Sequence, residues 1–143
     1  VFDQAIVRER LKKLEEQLTL LRQLQSVPRE RFIADPREHV YALHLLQTAI
    51  QAIIDIGTHL VSGLNLGRLE AYRDIARLLV QEQIIPADLG PKLEKMIGLR
   101  NLIIHEYLRL DLERIYQIVH SELEDLAQFA QHITEFLEKT QGP

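Results

Sequence analysis

The sequence predicts an all-α chain folded as an antiparallel bundle of four to five helices. Two observations carry that expectation. Apolar residues recur at three- and four-residue steps over long segments, without alternating runs or Asn-Gly and Asp-Gly hairpin signals. Six Gly and five Pro in 143 residues leave few loops, and short connections make successive helices antiparallel neighbours. A chain of this length is expected to build one core in one domain, residues 1–143.

The first helix is expected from about Asp3 to Gln25, because Ile6, Val7, Leu11, Leu14, Leu18, Leu21 and Leu24 form one stripe. SVPRERFIADP, from Ser26 to Pro36, reads as a connector bounded by prolines. The second helix starts near Pro36, with Asp35 as N-cap, and ends around Ser62 and Gly63. A turn punctuated by Gly and Asn follows. The third helix covers about Leu69 to Gln83 and stops before Ile85-Pro86, since the residue preceding proline prefers extended backbone. The fourth begins near Ala87, or at Pro91 after an interruption at Gly90, and runs into RNLIIHEY, Arg100 to Tyr107. The fifth extends from an Asp111 cap to about Lys139, with Leu112, Ile115, Ile118, Val119, Leu123, Leu126, Phe129, Ile133 and Leu137 on its buried face.

Composition removes several function classes. Hydrophobic residues at 46% and charged residues at 27% are those of a globular protein rather than a disordered one. The absence of Cys excludes disulfides, thiolate metal sites and cysteine catalysis, and accords with the cytoplasmic location expected here. The stretch Val40–Gly67 carries one formal charge, Asp55, but its repeated polar residues make it a central buried helix rather than a membrane span. From Asp111 onward seven acids face two bases, so the acidic excess lies in the last helix while the rest is nearly balanced. Basic clusters at Arg8, Arg10, Lys12, Lys13 and at Arg29, Arg31, Arg37 read mainly as solvated faces. No phosphate-binding glycine loop and no Glu-x-x-His repeat occurs. Asp55 and His59 become metal ligands only if His44 or His105 joins them, and no triad is spelled locally, so neither metal nor other cofactor is expected.

RNLIIHEY concentrates the chemistry. Arg100 falls on the stripe of Leu93, Met96, Ile97, Ile103 and Ile104, where a guanidinium must find a carboxylate, a phosphate or water. Glu94, Gly98, Asn101 and His105 form a second stripe thinned by Gly98, which opens that face to another backbone or a ligand. Arg100 and His105 stand about 140° apart around a regular helix, so they meet only through the arginine's length or across a shared site. The helix is expected to end at His105 or Glu106, and its C-terminal dipole favours an imidazolium there. A proton-exchanging histidine beside an arginine suits phosphate chemistry. On the second helix, His44, Gln47, Thr48, Gln51, Asp55, Thr58, His59 and Ser62 make a polar stripe with almost no charge, the mark of a cleft, interface or buried network. Asp55, flanked by isoleucines, needs a partner, for which Arg100 and His59 are the candidates.

Arg100-x4-His105-x-Tyr107, with Asn101 and three apolar fillers, resembles the HEPN ribonuclease superfamily, specifically HepT-like toxins paired with a minimal nucleotidyltransferase antitoxin of the MntA type. The likeness extends to Asp55–His59, the Gly/Asn turn, Ile85-Pro86 and the last helix. It implies a HEPN-like bundle that is a homodimer and a metal-independent endoribonuclease. Arg100 and His105 would be its catalytic residues, with Asn101 and Asp55 in support: Asn101 orienting His105 or the phosphate, and Asp55 positioning Arg100. It also implies Tyr107 as the residue on which the antitoxin places AMP. RNA would be cleaved through its own 2′-hydroxyl, and DNA, which lacks that group, is not expected as substrate. Two other readings stay open: a non-catalytic HEPN subunit binding substrate or nucleotide for a nucleotidyltransferase, and a purely structural dimeric bundle.

Overall fold

The computed structural model describes residues 2–140, and of Tyr107 the backbone only. It contains α1 (Gln4–Gln23), α2 (Arg29–Ala34), α3 (Pro36–Gly63), α4 (Asp74–Gln81), α5 (Leu89–His105), α6 (Leu112–Ser121) and α7 (Leu123–Thr140), with no strand among the described residues. The expected all-α bundle is what forms.

α3 is the centre of the molecule. It packs against α1, α2, α4, α5 and α6, and residues on nearly every side of it, from Ala42 through Ile50, Ile53, Ile54 and Ile56 to Leu60, are buried. Each such Leu or Ile, once fully buried, contributes roughly 1.5–3 kcal/mol of transfer free energy. Although α3 is long and apolar enough to cross a membrane, 61% of its apolar window is already covered by the bundle.

The helix starts follow capping chemistry. Asp3 accepts from the Ala5 N–H at 2.9 Å, Asp35 from the Arg37 N–H at 2.9 Å, and Asp111 from the Glu113 N–H at 3.0 Å. The Arg37 guanidinium, bonded to the Asp35 carboxylate, holds that carboxyl below its ordinary range, with the backbone bond adding to it. α3 terminates in a left-handed residue, but this is Asn65 (φ 55°) rather than a glycine, and the Leu66 N–H closes the end on the Val61 carbonyl at 3.0 Å.

Three expectations are corrected. The connector at 26–36 holds a six-residue helix, α2, pinned by the fully buried Phe32 ring against Tyr116 at a centroid distance of 5.6 Å. The expected third helix begins only at Asp74. Its carboxylate accepts from the Glu70 and Ala71 N–H groups at 3.0 and 3.1 Å, a local bond that competes with helix over residues 69–73. The expected fifth helix is two helices, interrupted at Glu122 (φ −124°, ψ 8°). There the Glu122 carboxylate is drawn back to Arg114, and the Ser121 hydroxyl donates to the Gln117 carbonyl at 2.7 Å. The break lets α6 pack on α2 and α3 while α7 packs on α1 and α5.

One glycine is required by packing. A methyl group on Gly57 would overlap the Ile75 side chain at the α3–α4 contact. Gly57→Ala is therefore expected to lose about 1–3 kcal/mol to overpacking, only partly offset by the ~1 kcal/mol helix preference of Ala. Urea unfolding midpoints measure the difference, and a midpoint at or above that of the parent would show that Ile75 repacks freely.

Candidate active site

The site is built where α5 crosses the middle of α3. Leu93, Met96, Ile97 and Ile103 bury one side of α5, and Arg100 emerges from that row half-buried. Its Nε donates to Gln51 Oε1 at 2.7 Å. The Gln51 Nε2 donates in turn to Asp55 Oδ1 at 2.9 Å, and the other Asp55 oxygen faces Arg10 Nε of α1 at 3.7 Å. Arg10, Asp55, Gln51 and Arg100 thus form one row across three helices.

That row has an electrostatic consequence. A carboxylate in direct contact would fix Arg100 but cancel much of its charge. The Gln51 amide is neutral and fixes the guanidinium through Nε alone, while Arg10 offsets Asp55 on the far side. Arg100 is oriented without being neutralised, the condition an anion-binding arginine needs.

Asp55 therefore lies one residue away from Arg100 rather than against it. His59 does not pair with Asp55 either; its Nε2 accepts the Asp3 backbone N–H at 2.9 Å. Asn101 is exposed, and its side-chain oxygen takes a long bond of 3.5 Å from Arg100 Nη1. The connector arginines are spent on ion pairs: Arg29 with Glu113, Arg31 with Glu38, Arg37 with Asp35.

α5 ends at His105, and the following residue, Glu106 (φ −128°, ψ 32°), donates its N–H to the Leu102 carbonyl at 2.9 Å. A single 3₁₀ turn, Tyr107–Arg109, comes next. His105 is exposed and lines a shallow depression of about 360 Å³ with Ile104, Glu106, Leu108 and Arg109. Arg100 does not line it, and no hydrogen bond joins the two motif residues among those described. The side chain of Tyr107, the expected modification site, lies outside the described residues. Beside the exposed Glu106 and Arg109, the surface around His105 also bares apolar side chains: Leu102 is 46% exposed, Ile104 37% and Leu108 92%. Ile104, expected on the core stripe, lies past the edge of the bundle. Gly98 has open space where a Cβ would stand, with no atom of the described residues packed against that thinned face; it borders a cavity whose other side is lined by Arg114, Ile118 and Glu122.

Three participants escape a reading of the motif alone. Gln51 is one of many uncharged polar residues on α3, and only the crossing with α5 singles it out. Arg10 belongs to what reads as a solvated basic run. Tyr72, whose ring has the Arg100 guanidinium carbon 5.8 Å from its centroid, sits in a segment expected to be helical. An aromatic set between Arg68 and Arg73 is the signal that marks it. No group of three His, Asp or Glu side chains converges as a metal site among the described residues.

Comparisons with known proteins bear on the family and the fold. The chain is 39% identical over 84 residues, 59% of its length, to the Shewanella oneidensis protein called mRNA nuclease HepT, and that stretch spans 63% of the relative. It is 34% identical over 133 residues to an Archaeoglobus fulgidus putative RNase, covering 92% of this chain and 96% of the relative. Among solved structures, a tri-AMPylated Shewanella oneidensis HEPN toxin in complex with MNT antitoxin superposes with a TM-score of 0.83 at 29% identity, covering 91% of this chain and 97% of that one. The ribonuclease HepT-like family model matches residues 14–133, and with that span of α1 through α7 the chain belongs to the HepT-like ribonuclease family.

Proposed function

We propose that the protein is a metal-independent endoribonuclease acting as the toxin of a toxin–antitoxin pair. In this reading two copies form a homodimer, and a minimal nucleotidyltransferase silences it by placing AMP on Tyr107. The observation that carries the proposal is the half-buried Arg100, oriented through Nε by a neutral amide and followed on the same helix by an exposed histidine.

Arg100 binds the scissile phosphate and stabilises the charge that builds on its oxygens. His105, from one or both protomers, takes the proton of the RNA 2′-hydroxyl. The 2′-oxygen bonds to phosphorus, the bond to the 5′-oxygen breaks, and that oxygen is protonated as it leaves. A 2′,3′-cyclic phosphate and a 5′-hydroxyl result. RNA brings its own nucleophile, so no metal is needed to generate one. Asn101 helps to hold the Arg100 end of the site, and Asp55 acts at one remove through Gln51. The homodimer is supported by the exposed Leu102, Ile104 and Leu108 around His105, by the open Gly98 face, and by the 140° between the motif residues, which a second copy can span. AMP on Tyr107 adds bulk and negative charge two residues from His105, repelling RNA phosphate. The antitoxin reading draws support from the neighbour described as an AMPylated toxin held by an MNT antitoxin.

Expression of the chain alone is expected to arrest growth, and co-expression with a minimal nucleotidyltransferase encoded beside it should restore growth and add AMP-sized increments to the peptide containing Tyr107. Mass spectrometry of the co-expressed protein reads this directly. Harmless expression with no cleavage of RNA would point instead to a non-catalytic accessory subunit. Rescue of growth without any increment would leave the ribonuclease and remove the proposed off-switch.

A further inference from the structure

We propose that Tyr72 is the platform on which a nucleobase of the RNA stacks, next to the phosphate received by Arg100. This deepens the ribonuclease reading and rests on it.

Most aromatic rings described in this chain serve the fold. Phe32 and Phe129 are fully buried, Phe2 stacks on Phe136, and Tyr116 packs between Phe32 and His120. Tyr72 is different. It is 48% exposed, yet it lies against the functional arginine, with the guanidinium carbon 5.8 Å from its ring centroid. Tyr41 is also exposed but makes no contact with Arg100.

The segment that carries Tyr72 is a fixed turn. Asp74 Oδ2 accepts from both the Glu70 and Ala71 N–H groups, and the Ile75 N–H donates to the Tyr72 carbonyl at 3.1 Å. Those two backbone bonds hold the Asp74 carboxyl below its ordinary range, with Arg77 and Arg73 contributing. A depressed folded-state value means that the pin is in place near neutrality and is lost only as the pH falls through that value. The ring is thus presented to solvent from a preorganised support. Arg68, Arg73 and Arg77, all exposed, lie within five residues of it in the chain and outnumber Glu70 and Asp74 there, a positive balance suited to a polyanionic backbone.

In the free protein the Tyr72 ring and Arg100 share a cation–π contact. When Arg100 turns its charge to a phosphate, the face of Tyr72 is beside the nucleotide whose phosphate is held. A base stacks there regardless of its identity, because every base has a π-face. The platform therefore positions the scissile bond without selecting sequence.

The rival role for Tyr72, a prop for Arg100, is separated by an abasic-site cycle. A single-stranded RNA that the full-length protein cleaves at one bond is compared with versions carrying one abasic nucleotide at each flanking position. At one of those positions the parent protein is expected to lose about 5- to 150-fold in kcat/KM on removal of the base. Tyr72→Phe should keep that ratio, because its π-face is intact. In Tyr72→Ala the ratio should fall to near one, since residue and base report the same contact. Tyr72→Leu, apolar and large but without a π-face, should match alanine, and thermal melts of all three check folding. Equal slowing of intact and abasic RNA by Tyr72→Ala would mean a prop and overturn the platform, as would unchanged cleavage by Tyr72→Ala. A parent protein that cleaves no RNA would overturn the ribonuclease reading itself.

Discussion

Replacement of His105 by alanine is expected to lower RNA cleavage by about 10²–10⁴-fold, the range for loss of a positioned proton-transfer group, and to abolish growth arrest. The fold should be unaffected. His105 is the last residue of α5, exposed, with the Glu106 N–H closing the helix behind it. No core contact depends on the imidazole, so far-UV circular dichroism and the melting temperature should match the parent. Comparison with His105→Asn separates proton transfer from hydrogen bonding, because asparagine keeps polarity at a similar size but cannot exchange a proton near neutrality. A His105→Ala protein that cleaves at the parental rate would sink the assignment of His105 to chemistry.

Arg100→Ala is expected to cost about 10²–10³-fold, as for removal of one donor to a developing oxyanion. The more informative variant is Arg100→Lys. Lysine preserves the charge, but it has no Nε with which to engage Gln51 at 2.7 Å and no planar fork for two phosphate oxygens. If orientation matters as much as charge, lysine should recover little of the alanine loss. Gln51→Leu tests the same idea from the other side: Arg100 stays, its amide partner goes, and kcat should fall while Asp55 keeps Arg10. Up to about 10²-fold is expected for a displacement of an ångström. Full recovery of cleavage by Arg100→Lys, together with a silent Gln51→Leu, would show that only net charge is used. Single-turnover cleavage of a labelled oligonucleotide distinguishes these outcomes, because it reads the chemical step apart from product release.

Helix identity and caps were legible in the sequence because they depend on neighbours in the chain. Asp35-Pro36 and Asp111 announce their helices locally, and the leucine stripe of α1 needs no knowledge of what it packs against. The break at Glu122 was not legible, since the apolar spacing runs through it and the bend is set by Arg114 eight residues earlier. α2 escaped for a different reason: six residues with no capping side chain carry almost no periodic signal, and only the burial of Phe32 gives it a reason to form. At the candidate site, Arg100, Asn101 and His105 share one helix, so their spacing was readable. Gln51 and Tyr72 reach Arg100 from α3 and from the turn before α4, separated from it by 49 and 28 residues. Such meetings are decided by how helices cross, and no local pattern encodes them.

The row from Arg10 to Arg100 also has a meaning for biosynthesis. The motif is contiguous and leaves the ribosome as a unit, but the groups that aim its arginine are made much earlier and sit on two other helices. A nascent chain that has emerged through Tyr107 holds all the motif residues and no aligned guanidinium until α5 docks on α3. Alignment is therefore a product of completed tertiary structure, and incomplete chains carry the motif without the geometry.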